Sequence, residues 1–464
     1  MKKKVFALLP DGVGVRNYLY SEVFKTNEFE LTLMHTFDSK TLEVIGEEVK
    51  FQSAIKLPNY KESVAEKFLR ELICLSRLHH NARHLDNPTI LSTWRKNHSK
   101  PALKVFYRAV EFGARWIKRY DAILNLERRY QKALRKNVFY RQTRDILERS
   151  RPAMLLCLHQ RGLQMPTVFA AARDLGIPTA TVIFSWDNLP KARMALWADK
   201  YFVWSEHMKR EMALFYPEIP QEKVFVTGTP QFEFYADPSR LIDKKKFFEK
   251  YALDPNKKII CFSGDDVLTS PDDPKYLQDI AQAIVDHGLA SQWQILLRRC
   301  PVDFSGRFDK VVSAYDGLIK VAEPLWYSAQ GGWTSTFAKM EDVDLLVSTA
   351  YYSDVVVNVG STMAFDFAMF KKPAVFINYD QADKHNPNWS VETIYRFQHF
   401  RSMPDKTAVF WLNGANEIVD TMALALTSGE NKSMEAWKAK VIGDFEVASK
   451  NIKALLNDTI FGLS

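Results

Sequence analysis

The chain has 464 residues, 47% hydrophobic and 13% aromatic, enough to bury a large core in two or more domains. No run of about 18 apolar residues exists, and the apolar stretch in the opening MKKKVFALLPDG is too short for a secretory leader, so a cytoplasmic protein is expected. The 4 cysteines lie far apart without a C-x-x-C pair, and there is no HExxH, EF-hand loop, Walker lysine loop or GxGxxG, which argues against disulfide-stapled, metal-dependent and dinucleotide classes; the net charge of +8 is taken up below.

In chain order, VFALLP (5–10) reads as a buried strand that runs into a glycine-rich loop, DGVGV, where a substrate can come close to the backbone. A helical insertion is expected over about 61–150. Residues 95–151 hold 17 Lys/Arg against 5 Asp/Glu, with Phe106, Val110, Ala114 and Ile117 recurring at helical spacing, so amphipathic helices with a cationic face are predicted. Such a face either is simply solvated or rests on anionic lipid headgroups. Nucleic acid is not expected as a partner, because no recognised module is present and the aromatics are spaced for packing.

The strand PAMLLCLH (152–159), the helix QMPTVFAAARDLG, the strand IPTATVIF ending at SWDN (185–188), and the strand KYFVWS complete a first α/β half over 1–226. EKVFVTGTPQFEFY carries a Gly-Thr-Pro turn, and a hinge is expected at 226–234. The second half, 235–433, starts afresh with KKIICFSGDD and continues through WQILLRRCPVD, LIKVAEPLW and DVVVNVGST. A closing helix is expected within 434–464. The predicted fold class is therefore α/β, two Rossmann-like doubly wound domains with a basic helical insertion in the first.

Open parallel sheets bind ligands beyond the carboxyl ends of their strands, so function is sought in those loops. The most informative is YSDVVVNVGSTMAFDFAMFKKPAVFINYD (352–380): strand, polar turn, short helix, Lys-Pro break, strand. Gly360, Ser361 and Thr362 at such a turn suit a diphosphate, and Asp366 one turn later suits ribose hydroxyls; Ser361 as a helix cap and Asp366 as a solvated first-turn acid is the plain alternative. Ser263, Gly264, Arg298 and Glu323 end the other strands of the same half and extend the expected donor site. Arg298 or Arg299 can fork diphosphate oxygens or be a structural ion-pair partner, and adjacent arginines point oppositely, so at most one serves.

The strand ends of the first half offer residues that could serve as a general base. Asp187, His159 and Asp11 all follow strands. Asp187 is preferred, with Trp186 offering a stacking face, Asn188 an amide and Lys191 a phosphate contact; a turn cap for Asp187 and Asp11, and a packing role for His159, are the alternatives.

With these pieces in place, FSWDNLPKA, KYFVWSEHMKRE, VFVTGTPQF, ILLRRCP and SDVVVNVGSTMAFDFAMFKKPAVFINYD, in that order and spacing, resemble bacterial transferases of the two-Rossmann GT-B architecture that act on nucleotide-activated sugars or polyol phosphates. The last piece is similar to the ribose-and-diphosphate loop of UDP-N-acetylglucosamine 2-epimerases, where an acid at the place of Asp366 contacts ribose. Trp186-Asp187-Asn188, Pro190 and Lys191 resemble a segment of CDP-glycerol glycerophosphotransferases that has histidine where this chain has Asp187, and a His-Pro where it has Cys300-Pro301. Those departures rank sugar transfer above polyol-phosphate transfer. The resemblance implies a metal-independent glycosyltransferase of surface-polysaccharide synthesis with no cofactor, a nucleotide-sugar donor, and a glycan or lipid-linked acceptor. A nucleotide-sugar epimerase and a non-catalytic binding protein are the rival expectations.

Overall fold

The computed structural model describes residues 2–94, 99–328 and 336–462. Residues 95–98, the start of the predicted basic run, lie outside them. The first sheet contains β1 (Lys3–Leu9), β2 (Phe29–His35), β3 (Ser53–Lys56), β4 (Met154–Cys157), β5 (Thr179–Val182), β6 (Lys200–Val203) and β7 (Val224–Val226), in the spatial order β3-β2-β1-β4-β5-β6-β7. The second contains β8 (Lys258–Ser263), β9 (Trp293–Arg298), β10 (Ile319–Ala322), β13 (Val355–Asn358), β14 (Ala374–Ile377) and β15 (Phe410–Leu412), in the order β10-β9-β8-β13-β14-β15. A small antiparallel hairpin, β11 (Trp326–Ser328) with β12 (Thr336–Ala338), follows β10.

Every pairing in the two large sheets is parallel. Helices cover both faces of such a sheet, which is why central strands read as unbroken apolar runs: Val5 to Leu9 and Val355 to Val357 are all buried. In each sheet the strand order reverses once, between β1 and β4 and between β8 and β13. Those two reversals open crevices at the carboxyl ends of their strands.

The insertion between β3 and β4 consists of helices Val64–His84, Pro101–Trp116, Tyr120–Leu134 and Val138–Ser150. A capping box of Ser63 and Glu66 starts the first of these, and Asn137 also donates to Glu66. Arg77, 1% exposed, binds Glu127 and Glu218 and donates to the Phe215 carbonyl, so its buried charge is fully paired and pins the insertion to the sheet domain. The basic faces turn outward. Val105, Phe112 and Trp116 stand exposed among Lys104, Arg108 and Arg115, on the side opposite buried Val110 and Ala114.

After the helix Ile418–Thr427, the stretch predicted as one closing helix forms two, Lys432–Ile442 and Ala448–Phe461; the break falls at Gly443, whose φ is +71°. The last helix crosses back to the first domain. There Ser449 N–H donates to Glu233 at 2.6 Å and Asn451 Nδ2 donates to the Thr227 carbonyl, next to the turn predicted as the hinge.

Candidate functional site

The carboxyl ends of the two sheets face each other across a cleft of about 390 Å³. From the second domain it is lined by Ser263, Gly264, Arg298, Ser361, Thr362 and Asp366, and from the first by Gly12, Arg16 and Trp186. Gly360 adopts φ +68°, and a Cβ there would lie 2.8 Å from the Phe400 ring, so glycine is required both by backbone and by space. The turn hands its peptide groups to the helix Met363–Ala368. Asn358 Oδ1 accepts the Ser361 N–H at 2.8 Å and Ser361 Oγ accepts the Met363 N–H at 3.4 Å, so those donors are not free for a phosphate; the Ser361 and Thr362 side chains border the cleft.

Asp366 accepts a hydrogen bond from Tyr235 Oη at 2.7 Å. Burial pushes its carboxyl up to about 6, against the Tyr235 hydrogen bond and the charges of Arg16 and Arg298. Arg16 donates to Asn17 and Gln231 and faces the cleft from the first domain. No sequence signal marked Arg16 or Tyr235. Their relevance comes from the domain crossing alone.

Arg298 is 5% exposed and places Nη2 on both oxygens of Asp342, at 2.7 and 2.8 Å, while Nη1 is buried with no hydrogen-bond partner among the described residues. The fork predicted for a diphosphate is thus half engaged, leaving one nitrogen for the cleft. Arg299 also borders the cleft, and its guanidinium is paired with Asp309 at 2.8 Å and Glu323 at 3.2 Å. Glu323 is not brought to the cleft: it follows β10, an edge strand two positions from the crossover, and is 58% exposed. Asp265, next in the Ser263 loop, also borders the cleft; burial and the charges of Asp273 and Asp266 push its carboxyl well up, with Arg307 opposing.

The D-N-x-P loop differs from its sequence reading in each side chain. Trp186 is 6% exposed and packs edge-on against Phe365, His399, Phe400 and Trp437, with Nε1 donating to Thr362 Oγ1 at 3.3 Å. It therefore joins the two domains, and the sugar-stacking face predicted for it is covered by that aromatic cage. Asn188 is buried, donating to Asp187 and accepting from Gln160. Asp187 accepts from Ser185 and Asn188 and pairs with Lys191. Burial acting on Asp187 is outweighed by Lys191, His399 and Ser185, which hold its carboxyl well below the usual range. A carboxylate held so firmly ionised is a weak proton acceptor at neutral pH.

The other two candidates form a pair. His159 Nδ1 lies 2.5 Å from Asp11 Oδ2, both side chains being 8% exposed. They meet because β1 and β4 are neighbours at the crossover and each is followed by one of them. Asp11 Oδ1 also accepts the Val13 N–H at 3.1 Å, which fixes the carboxylate. Nδ1–H donating to the carboxylate leaves the lone pair on Nε2, and Nε2 is buried without a hydrogen-bond partner among the described residues. The ring packs edge-on against Phe184 at 4.4 Å. His159 borders a second cavity, which shares Val13 and Phe184 with the interdomain cleft.

Two parallel α/β domains with facing crossovers, joined by a terminal helix that returns to the first, define the GT-B architecture. Solved structures share it over the whole chain. A putative UDP-N-acetylglucosamine 2-epimerase from Listeria monocytogenes superposes with a TM-score of 0.55 at 12% identity, covering 100% of this chain and 98% of its own. S. aureus MnaA in a co-structure with UDP gives 0.53 at 12% identity, covering 99% and 97%. A glycosyltransferase from Rickettsia africae gives 0.51 at 12% identity, covering 100% of both chains. No protein-family model and no curated protein sequence matches the chain.

Proposed function

We propose that the protein is a glycosyltransferase that moves a sugar from a nucleotide-sugar donor to a glycan or lipid-linked acceptor in surface-polysaccharide synthesis. The observation that carries this reading is the approach of two chemically different loops to neighbouring cavities: a Gly360-Ser361-Thr362 turn with Asp366 on one domain, and an oriented His159 on the other. The fold shared with structures described as a UDP co-structure and as a glycosyltransferase supports it.

In this scheme the ribose hydroxyls meet Asp366, and the diphosphate lies against Ser361, Thr362 and Gly264. Nε2 of His159 takes the proton of the acceptor hydroxyl while Asp11 holds the ring and balances the imidazolium. The hydroxyl oxygen bonds to the anomeric carbon, the bond from that carbon to the diphosphate breaks, and the electron pair leaves with the diphosphate, where Arg16 and Arg298 offset the charge. No metal or cofactor is required by this division of labour.

The acceptor side is proposed to work at the inner face of a membrane. No helix of the described residues is long and apolar enough to cross a bilayer. The exposed ridge of Val105, Phe112 and Trp116 beside Lys104, Arg108 and Arg115 has the composition that lies in an anionic lipid interface.

Epimerisation of a UDP-sugar is the second reading, favoured by the likeness to the Listeria structure. A thermal-shift panel of UDP, GDP, CDP, UDP-sugars, GDP-sugars and CDP-glycerol, with and without chelator, tests the donor site. Selective, chelator-insensitive stabilisation by one diphosphate series is expected. Incubation with the matching nucleotide sugar then separates the readings: a transferase releases nucleotide only with acceptor, whereas an epimerase interconverts the sugar alone.

A further inference from the structure

We infer that the helical insertion is a clasp: the end of its first helix grips the segment behind the Gly360 turn and holds the two domains closed, so that donor affinity depends on residues outside the interdomain cleft. This rests on the reading of the Gly360-Ser361-Thr362 turn as the donor site.

Both domains contribute to the grip. The helix Val64–His84 ends at Asp86, whose φ is +46°, and Asn87 then caps the short helix Pro88–Thr93 by accepting the Thr89 N–H. From the second domain, Arg401 donates to the carbonyls of Leu85 at 2.8 Å and Asp86 at 3.1 Å, placing a cation at the carboxyl end of a 21-residue helix, where the helix dipole favours it. From the insertion, buried Asn87 donates through Nδ2 to the Arg396 carbonyl at 3.3 Å and to Gln398 Oε1 at 2.9 Å, and Thr89 Oγ1 reaches the same Arg396 carbonyl at 3.0 Å.

The gripped segment is the wall behind the donor turn. Arg396, Gln398 and Arg401 belong to the short helices Val391–Tyr395 and Gln398–Ser402 and the link between them. A Cβ on Gly360 would meet Ile394, Tyr395 and Phe400 of this segment, and Trp186 of the first domain packs on its His399 and Phe400. Tyr395 Oη donates to the Ile377 carbonyl at 2.7 Å and so ties the segment to the end of β14. A cavity of about 290 Å³ lies between the turn, Trp186, the segment and residues 89–93, with Thr89 and Gln398 of the clasp on its border.

Five hydrogen bonds make the clasp, four of them to backbone carbonyls, and no ion pair among the described residues joins the insertion to the second domain. Water replaces each bond when the domains part, so the clasp is reversible. The cleft takes Arg16 and Trp186 from one domain and the turn from the other, so a donor that touches both is held best by the closed form. Its apparent affinity scales with the closed fraction, and by reciprocity a bound donor tightens the clasp.

Hydrogen exchange and UDP titration of wild type and the double variant Arg401→Ala, Thr89→Ala test this. Arg401 is exposed, Thr89 is half-buried, and neither borders the interdomain cleft. Without UDP, the variant is expected to exchange faster at 185–188 and 360–363, which form no hydrogen bond with either side chain. Its UDP affinity should fall about tenfold, and bound UDP should slow exchange at 85–93 in wild type. Unchanged exchange at 185–188 and 360–363, or unchanged UDP affinity, overturns the inference. If neither protein binds UDP, the donor reading falls and the exchange comparison alone decides the clasp. Arg401→Ala by itself, a change at an exposed side chain, gives the same comparison should the double variant melt early.

Discussion

His159 and Asp11 lie 148 positions apart in the chain, and the β1–β4 pairing brings Nδ1 of the one to 2.5 Å from Oδ2 of the other. An imidazole gripped at one nitrogen by a carboxylate presents the other in a defined tautomer. The same relationship makes Asp11 a positioning residue whose effect passes through His159.

Replacing His159 by Gln is expected to lower turnover about 10²–10⁴-fold while leaving UDP affinity unchanged. Asp11→Asn should fall in the same direction with a distorted pH–rate profile, because the amide no longer compensates the imidazolium. Nucleotide release from the preferred donor, measured across pH, checks both. Full activity in His159→Gln would remove the ring from the chemistry.

For Asp187→Asn a different outcome is expected. Its oxygens serve Ser185, Asn188 and Lys191, so the substitution should cost about 1 kcal/mol of stability and leave turnover within a fewfold of wild type. Denaturant unfolding and donor turnover on one preparation separate the two effects. A loss of turnover as large as that of His159→Gln would move the base to Asp187.

Gly360→Val combines φ +68° with a side chain driven into Phe400, and Asp366→Ala removes the proposed ribose contact. Both should weaken UDP at least tenfold, the first with a lower melting temperature and the second without. Titration calorimetry together with thermal melts distinguishes a displaced turn from a lost contact.

The Asp366 carboxyl, pushed up to about 6, loses its charge as pH falls through that value. Acceptance of two ribose hydroxyls favours the ionised form. UDP affinity of the wild type relative to Asp366→Asn should therefore be greatest above pH 7 and narrow towards pH 5, the comparison cancelling protonation of UDP itself. A constant ratio across that window would exclude the contact.

Burial pushes Glu211 up to about 8, with Lys440 opposing. The folded state then keeps a proton that the unfolded chain loses above its ordinary carboxylate range, so stability falls as pH rises from about 4.5 to 8 and stays lower beyond. Glu211→Gln, which mimics the neutral acid, should raise the melting temperature at pH 8.5 by about 2 °C or more and change it little at pH 4.

Vesicle sedimentation checks the aromatic ridge. Wild type should bind anionic vesicles in a salt-sensitive manner, and Phe112→Ala with Trp116→Ala should reduce binding at all salt concentrations, since both rings are exposed at 62% and 74%. Absence of binding by wild type at low salt would end the membrane reading.

Much of the fold was written in local pattern. Strands buried on both faces need unbroken apolar runs, so 5–10, 154–157, 259–262 and 355–359 announce a parallel α/β protein, and Gly360 announces its turn because few other residues accept that backbone. Tertiary structure alone decided which loop residues meet. Asp11 and His159 are ordinary turn and strand-end residues until the sheet order makes β1 and β4 neighbours. Trp186 reads as a binding aromatic until the second domain closes its aromatic cage, and Glu323 drops from the site because β10 is an edge strand. Arg16 and Tyr235 carried no motif, since their surroundings are built from segments far away in the chain, and a side chain's charge state and partners depend on those surroundings and not on its neighbours in sequence.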